Sequence, residues 1–141
     1  MITVLLADDH TVLRDGLRFL LEAAGGIKIV SMAANGQEAL EQAIQFCPDV
    51  VLMDISMPIM NGIEATKQIC AVCEHTKVAI LSMHHTAEYI QRALQAGARG
   101  YLLKDSAGAE VITAIRAIHD GKHYFSQKIG RSAGNDYRRV G

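Results

Sequence analysis

Short runs of apolar and β-branched residues recur along the chain, and longer amphipathic stretches separate them. Apolar residues fill successive positions of each run, so both faces of the strand would be apolar, which is typical of strands buried in a parallel sheet. The predicted strands are Ile2–Ala7, 28–33, Val50–Met53, 78–82 and Gly100–Leu103.

The amphipathic stretches between these runs predict five helices. In the first stretch Leu13, Leu17 and Leu21 recur every four residues, which places them on one face of a helix. Asn35, followed by Glu38 three residues later, is similar to the capping box that starts a helix. We expect the third helix over residues 62–73. The fourth should begin after Thr86 and end at Gly97, and the fifth should begin after Ser106 and end at Gly121.

The alternation of five strands with five helices predicts a doubly wound (βα)5 domain. Such a chain forms a parallel five-stranded sheet, here expected in the order 2-1-3-4-5, with helices on both faces because each right-handed crossover covers one face. Ligands of such folds bind at the carboxyl ends of the strands. We assign residues 1–125 to this domain and 126–141, where the periodicity stops, to a linker or a loosely held tail.

Composition narrows the class of protein. The 141 residues suit a single domain, and the formal net charge of −1 argues against a domain whose whole surface binds nucleic acid. No apolar run approaches the length of a membrane span, and no basic region precedes the apolar N-terminus, so we expect neither membrane insertion nor a secretory signal. Three cysteines do not make a disulfide framework, and a reducing cytoplasm is the expected compartment.

Three acidic residues follow two strands that are neighbours in this order. Asp8 and Asp9 end the first strand, and Asp54 ends the third. Carboxylates brought together repel one another, and a hard divalent cation with oxygen ligands, Mg²⁺ above all, relieves that repulsion. Ser82 and Lys104 follow the fourth and fifth strands, where they could meet the oxygens of a phosphate. Asp54 lies between the two groups and is the candidate nucleophile.

A plainer interpretation is that each acid only caps the helix that follows it. For Asp8 or Asp9 taken alone this interpretation is about as good as the functional one. It leaves unexplained why five polar residues all fall at strand ends, and we therefore favour a site.

The residues at these strand ends resemble the receiver domain of two-component response regulators, a CheY-like, flavodoxin-like fold. The resemblance covers about residues 2–125, and its details are similar to the NarL/FixJ subgroup, whose members usually carry a C-terminal LuxR-type helix-turn-helix domain. The matching segments are Asp8-Asp9, residues 54–62, Ser82 and residues 100–104.

The resemblance implies a phosphoacceptor and a metal site. Asp54 would accept a phosphoryl group from the phosphohistidine of a sensor histidine kinase. Asp9 and Asp54 would bind Mg²⁺ directly, together with the backbone carbonyl of Ser56, and Asp8 would act through a metal-bound water. The domain would then be a signalling domain that catalyses only its own phosphorylation and dephosphorylation.

The resemblance also implies a switch. Lys104 would pair with the phosphoryl oxygens, and Ser82 would donate a hydrogen bond to one of them. Tyr101 matches the family's switch aromatic, whose ring turns inward when the loop bearing Ser82 moves. Ser56 and His84 occupy the positions where the family tunes the lifetime of the acyl phosphate.

The expected partners follow from the same resemblance. We expect a sensor kinase as partner, a homodimer upon phosphorylation through apolar surface around the first and fifth helices, and no membrane. The expected output is transcription, through a LuxR-type DNA-binding domain that the residues from Gln127 onward are too few to form. The alternative is a stand-alone receiver that acts by protein–protein interaction.

Three other classes fit the residues less well. An FMN-binding protein of the same fold would need a loop rich in serine, threonine and glycine after the first strand, where Asp8, Asp9 and His10 stand. A haloacid-dehalogenase-like phosphatase would need a second acid where Ser56 stands. A receiver fold that is not phosphorylated would not need the complete set of five residues.

Two further features have ordinary interpretations. Cys70 and Cys73 form a Cys-x-x-Cys motif without a second pair, and we interpret both as plain thiols rather than zinc or redox ligands. His10 has no partner that the sequence makes evident.

Overall fold

Six strands and five helices alternate in the part of the chain that the structure, a computed structural model, describes: residues 1–105, 108–127 and 129. The strands are β1 (Ile2–Ala7), β2 (Ile27–Ala33), β3 (Val50–Met53), β4 (Lys77–Ser82), β5 (Gly100–Leu103) and β6 (Tyr124–Phe125). The helices are α1 (Thr11–Ala23), α2 (Gly36–Phe46), α3 (Gly62–Val72), α4 (Ala87–Ala96) and α5 (Gly108–His119).

The strands form one sheet in the order β2-β1-β3-β4-β5-β6, and every neighbouring pair is parallel. The predicted doubly wound fold and its strand order are thus confirmed. Three of the five predicted strands have the expected ends, and β2 and β4 begin one residue earlier. None of the described helices is long and apolar enough to cross a bilayer.

The sequence analysis missed β6, so the prediction of a five-stranded sheet was one strand short. Tyr124 pairs with Gly100, and Phe125 pairs with Tyr101, at the outer edge of β5. Two residues are too few to show any periodicity, which explains the omission. The chain also stays packed just beyond the expected domain end at residue 125, because Ser126 and Ile129 are buried. Most of the segment 126–141, together with the expected cap Ser106, lies outside the described residues.

Two apolar clusters cover the two faces of the sheet. Alternate residues of β1 point to opposite faces, so that Leu5 joins the cluster beneath α2, α3 and α4, while Val4 and Leu6 join the cluster beneath α1 and α5. Each fully buried leucine or isoleucine contributes roughly 1.5–3 kcal/mol to stability. Burial on both faces explains why the strands are apolar at successive positions, and it leaves the strand ends as the place for polar chemistry.

Helix ends agree with several of the predicted signals. Asn35 Oδ1 accepts a hydrogen bond of 2.8 Å from the backbone N–H of Glu38, and Asn61 starts α3 in the same way with Glu64. Gly97 ends α4 in the left-handed conformation, with φ of 110°. Thr86 precedes α4 as expected, but its side chain makes no capping hydrogen bond.

Candidate functional site

The acidic residues meet at the carboxyl ends of β1 and β3. The backbone N–H of Asp54 donates to the carbonyl of Ala7, which sets Asp54 beside Asp8. Both carboxylates are nearly buried, each residue being 4% exposed, whereas Asp9 is exposed. One ligand atom each from Asp8, Asp9, His10 and Asp54 lies within 4.8 Å of the others. The predicted convergence of the three acids is confirmed.

Lys104 closes the site from the side of β5. Its Nζ lies 2.8 Å from Asp8 Oδ2 and 3.1 Å from Asp54 Oδ2, and its side chain is only 7% exposed. The backbone N–H of Lys104 donates to the carbonyl of Ser82, which fixes the end of β5 beside the end of β4. A buried cation therefore stands between two buried carboxylates.

Burial and neighbouring charges shift the pKa values of both Asp54 and Lys104. Burial, and then the negative charge of Asp8, raises the pKa of Asp54, although Lys104 acts in the opposite direction. Burial alone would lower the pKa of Lys104, but its hydrogen bond to Asp8 and the charge of Asp54 outweigh burial, and the pKa is raised. Lys104 is thus held as an ammonium, whereas the ionised form of Asp54 is disfavoured.

The sequence made no partner of His10 evident, and the structure places its ring against two aspartates. Its Nδ1 lies 2.9 Å from Asp8 Oδ1 and 3.4 Å from Asp9 Oδ1, and its backbone N–H donates to Asp8 Oδ1 at 2.8 Å. Arg14 also donates, from its guanidinium to the backbone carbonyl of Asp8 at 2.8 Å. The one signal in the sequence was the position of His10 directly after two aspartates at a helix start.

The donor set fits a hard divalent cation. Oδ2 of Asp54 is buried and faces Lys104 Nζ, yet it accepts no hydrogen bond of normal geometry from the described residues. Carboxylate oxygens that are crowded and not fully hydrogen-bonded are the ligands that Mg²⁺ takes, with water completing its shell. The acidic cluster is therefore compatible with Mg²⁺.

The loop after β3 is held against Asp54 by a glycine. A Cβ atom on Gly62 would lie 1.8 Å from the backbone carbonyl oxygen of Asp54, so no other residue fits there without a shift of the backbone. The N–H of Gly62 donates to the carbonyl of Ile55 at 2.9 Å, which closes this loop. The close approach of Gly62 thus fixes the position of the Asp54 backbone, and with it the position of the carboxylate.

Ser82 and Tyr101 converge on the loop after β4 rather than on Asp54. Ser82 is fully buried, and its Oγ accepts a hydrogen bond from the backbone N–H of His84 at 3.0 Å. The Tyr101 hydroxyl donates to the carbonyl of His84 at 2.7 Å. The Tyr101 side chain points inward, with the residue only 1% exposed, and burial raises its pKa to about 12.

His84 also ties this loop to the loop after β3. Its Nε2 lies 2.9 Å from Oγ of Ser56, and its ring stacks on Tyr89 with centroids 4.2 Å apart. Ser56 and His84 were singled out in the sequence by their positions two residues beyond Asp54 and Ser82. Their direct contact could not be predicted from those positions.

The structure is a doubly wound α/β domain. At the carboxyl ends of its strands, Lys104 lies between buried carboxylates, and Ser82 and Tyr101 contact the neighbouring loop. The model of the response regulator receiver domain family matches residues 4–116. The chain belongs to this family, as the resemblance at the strand ends indicated. It is a receiver domain, a signalling domain rather than a classical enzyme.

Curated relatives point to the NarL/FixJ, or LuxR-type, subgroup. The chain is 41% identical to the response regulator UvrY of Escherichia coli over 131 residues, which is 93% of this chain and 60% of UvrY. It is 42% identical to the transcriptional regulatory protein LiaR of Bacillus subtilis over 129 residues, 92% of this chain and 61% of LiaR. The chain thus spans about 60% of the length of these relatives.

Solved structures agree with the fold and the subgroup. A LuxR-family two-component response regulator from Aurantimonas sp. SI85-9A1 is 35% identical, with a TM-score of 0.90 over 99% of this chain and 98% of that one. The signal receiver domain of the putative response regulator NarL from Mycobacterium tuberculosis is 34% identical, with a TM-score of 0.83 over 86% of this chain and 98% of that one.

Proposed function

We propose that Asp54 accepts a phosphoryl group from the phosphohistidine of a sensor histidine kinase. A carboxylate oxygen of Asp54 forms the new bond to phosphorus, while the bond from phosphorus to the donor imidazole nitrogen breaks and its electron pair stays with the imidazole. The single observation that carries this proposal is the buried Asp54 carboxylate with the Lys104 ammonium 3.1 Å away and Asp8 and Asp9 beside it.

Four residues would hold the Mg²⁺ that this chemistry needs. Asp9 and Asp54 would bind it directly, with the backbone carbonyl of Ser56, and Asp8 would bind through water. Bound Mg²⁺ would supply charge neutralisation for the phosphoryl oxygens. The crowded carboxylates and the incompletely hydrogen-bonded Oδ2 of Asp54 support this assignment.

Lys104, Ser82 and Tyr101 would respond to the phosphoryl group. Lys104 already lies between Asp8 and Asp54 and would pair with the added negative charge. Ser82 Oγ accepts from the His84 N–H, which leaves the serine hydroxyl proton for a phosphoryl oxygen once the loop after β4 moves closer. The bond from the Tyr101 hydroxyl to the His84 carbonyl would hold that loop with the tyrosine inward.

The proposed output is control of transcription through a LuxR-type DNA-binding domain. The name of the relative LiaR, a transcriptional regulatory protein, supports this output, as does the LuxR-family description of the Aurantimonas structure. Phosphorylation would favour a homodimer, and Val12 and Phe19, apolar and exposed on α1, support a contact there. The proposal places the chain in the cytoplasm, and a stand-alone receiver that acts on other proteins is the alternative output.

The phosphoacceptor is tested by intact mass spectrometry of the chain incubated with acetyl phosphate, with and without Mg²⁺. We expect one phosphoryl adduct with Mg²⁺, none with EDTA, and none in Asp54→Asn. Asp120→Asn removes an exposed acid directly after α5, whose end contacts Lys77 at the amino end of β4, and it should be labelled like the parent. Equal labelling of the parent and Asp54→Asn would overturn the assignment.

A further inference from the structure

The segment that follows α5 binds along the outer edge of β5. We define this C-terminal strap as residues 124–127 and 129. The backbone N–H of Tyr124 donates to the carbonyl of Arg99, and the N–H of Ser126 donates to the carbonyl of Tyr101 at 3.1 Å. The next ladder bond is made by a side chain, because the N–H of Leu103 donates to Oγ of Ser126 at 3.2 Å.

The strap is also packed into the apolar core. Ile129 is fully buried, in the same cluster as Tyr101 and Ile90, and its N–H donates to the carbonyl of Ser126. Phe125 packs against the edge of that cluster. Backbone bonds and apolar packing thus attach the strap to the strand that carries Tyr101.

Ser126 bonds to the backbone of β5 at two points, beside Tyr101 and just before Lys104. Its N–H binds the carbonyl of Tyr101, and its hydroxyl oxygen binds the N–H of Leu103, the residue directly before Lys104. A movement of Tyr101 or Lys104 that displaces the β5 backbone would have to stretch one of these two bonds. The described conformation combines a docked strap with an inward Tyr101.

We propose that the C-terminal strap is part of the switch and that Ser126 is a positioning residue for Tyr101 and Lys104. Docking of the strap and occupation of the Asp54 site by a phosphoryl group stabilise the same inward arrangement, so each strengthens the other by the same factor. This inference rests on the proposed function. It identifies the route by which a change at Asp54 reaches whatever follows the strap in a longer chain.

A strap that merely covers the sheet edge would behave differently. Edge covering predicts that loosening the strap lowers stability and leaves the affinity of the Asp54 site for a phosphoryl analogue unchanged. Coupling predicts that the affinity falls as well. The affinity therefore separates the two roles.

The first experiment measures hydrogen exchange of the full chain with Mg²⁺, with and without beryllofluoride as phosphoryl analogue. We expect beryllofluoride to slow exchange of the amides of Leu103, Ser126 and Ile129 by about fivefold or more. Unchanged exchange of these amides, at beryllofluoride concentrations that protect the loops around Asp54, would overturn the coupling and leave the phosphoacceptor assignment intact. Absence of Mg²⁺-dependent beryllofluoride binding would overturn both.

The second experiment compares two serine variants by beryllofluoride titration. Ser126→Ala removes the acceptor of the Leu103 N–H, and we expect the apparent affinity to fall about fivefold or more. Ser31→Ala removes a hydroxyl that bonds Gln42 from β2, at the opposite edge of the sheet, and should leave the affinity unchanged. Equal affinities of the two variants would overturn the positioning role, and the exchange experiment on the parent chain decides the matter if Ser126→Ala does not fold.

Discussion

The ammonium of Lys104 lies 3.1 Å from Oδ2 of Asp54, and both side chains are almost completely buried. The two residues are far apart in the sequence and belong to strands that are not neighbours in the sheet. Lys104 reaches Asp54 only because it extends from the end of β5 across the end of β4. This ion pair keeps a positive charge at the place where a phosphoryl group would bring negative charge.

Asp54→Asn should stabilise the domain in the absence of metal. Burial and Asp8 disfavour the ionised form of Asp54 and raise its pKa, so at neutral pH the charge of Asp54 costs stability that asparagine does not. Lys104 keeps Asp8 as its partner at 2.8 Å and is not left unpaired. Thermal unfolding in EDTA should show a higher Tm for the variant, by about 2–4 °C for each kcal/mol gained.

The same variant should respond less to Mg²⁺. The parent should gain stability on addition of Mg²⁺, because a ligand that binds only the folded state stabilises it. Asp120→Asn, the control, should behave as the parent with and without Mg²⁺. A lower Tm for Asp54→Asn in EDTA would contradict the crowding of charges inferred for this pocket.

Asp49→Asn should destabilise the opposite end of the sheet. Asp49 Oδ2 accepts from the N–H of Thr3 at 2.8 Å and from its hydroxyl at 3.1 Å, and Oδ1 lies 2.6 Å from His75 Nε2. Burial alone would raise the pKa of Asp49, but these hydrogen bonds outweigh burial and the pKa is lowered. Loss of the carboxylate should cost about 1.5–3 kcal/mol, measured by urea unfolding at neutral pH.

The pH dependence of that loss follows from the sign of the shift. A carboxyl whose folded pKa lies below its ordinary value of 3.8 adds stability above pH 3.8, and the contribution disappears as the pH falls through the folded pKa. The difference between the parent and Asp49→Asn should therefore shrink in acid. A difference that stays constant from neutral pH to below pH 3 would contradict this interpretation.

Tyr101→Phe should remove an alkaline step in stability. Burial raises the folded pKa of Tyr101 to about 12, above its ordinary value of 10.0. The phenol thus adds stability below pH 10, and this contribution is lost as the pH rises from 10 towards 12, because the unfolded chain ionises first. The free energy of unfolding should therefore fall more between pH 9 and pH 11 in the parent than in Tyr101→Phe.

At neutral pH the same variant should lose the bond to the His84 carbonyl. That bond is 2.7 Å long, and its removal from a buried site costs about 1 kcal/mol. Tyr89→Phe is the matched control, because Tyr89 stacks on His84 through its ring. An equal fall in unfolding free energy between pH 9 and pH 11 in the parent and in Tyr101→Phe would show that the Tyr101 hydroxyl is not buried and bonded to the His84 carbonyl.

Gly62→Ala and Gly16→Ala should have opposite effects. A Cβ at position 62 would lie 1.8 Å from the Asp54 carbonyl oxygen, so the loop must shift, and we expect loss of stability and of phosphorylation at Asp54. A Cβ at position 16, within α1, meets nothing within 4 Å, and alanine there should add about 1 kcal/mol through helix propensity. Urea unfolding and acetyl phosphate labelling measure both effects.

Much of the fold follows from local patterns in the sequence. The strands that end just before Asp8 and Asp54 are long enough and apolar enough to be predicted from the sequence. Parallel pairing then brings their ends together. The strand order alone was enough to predict that Asp8, Asp9, Asp54 and Lys104 lie close together. The strand β6 escaped because its two residues carry no periodicity and are held by the backbone of β5.

The missed contacts depend on side-chain direction rather than on placement. The sequence puts His10 after two aspartates, but whether its ring turns back to Asp8 depends on the backbone between β1 and α1. The contact between Ser56 and His84 joins two loops whose distance no periodic pattern encodes. The network of Asp49 with Thr3 and His75 lies at the amino ends of the strands, and the strand pattern does not predict polar contacts there.

The shortness of β6 has a consequence for association between molecules. A long, flat strand at the border of a sheet offers a row of unpaired backbone groups that another chain can extend into a fibril. On this side the border strand is two residues long, and the chain turns inward after it, to bury Ile129. The edge of β5 is therefore closed to strand addition, which protects the molecule from aggregation along that border.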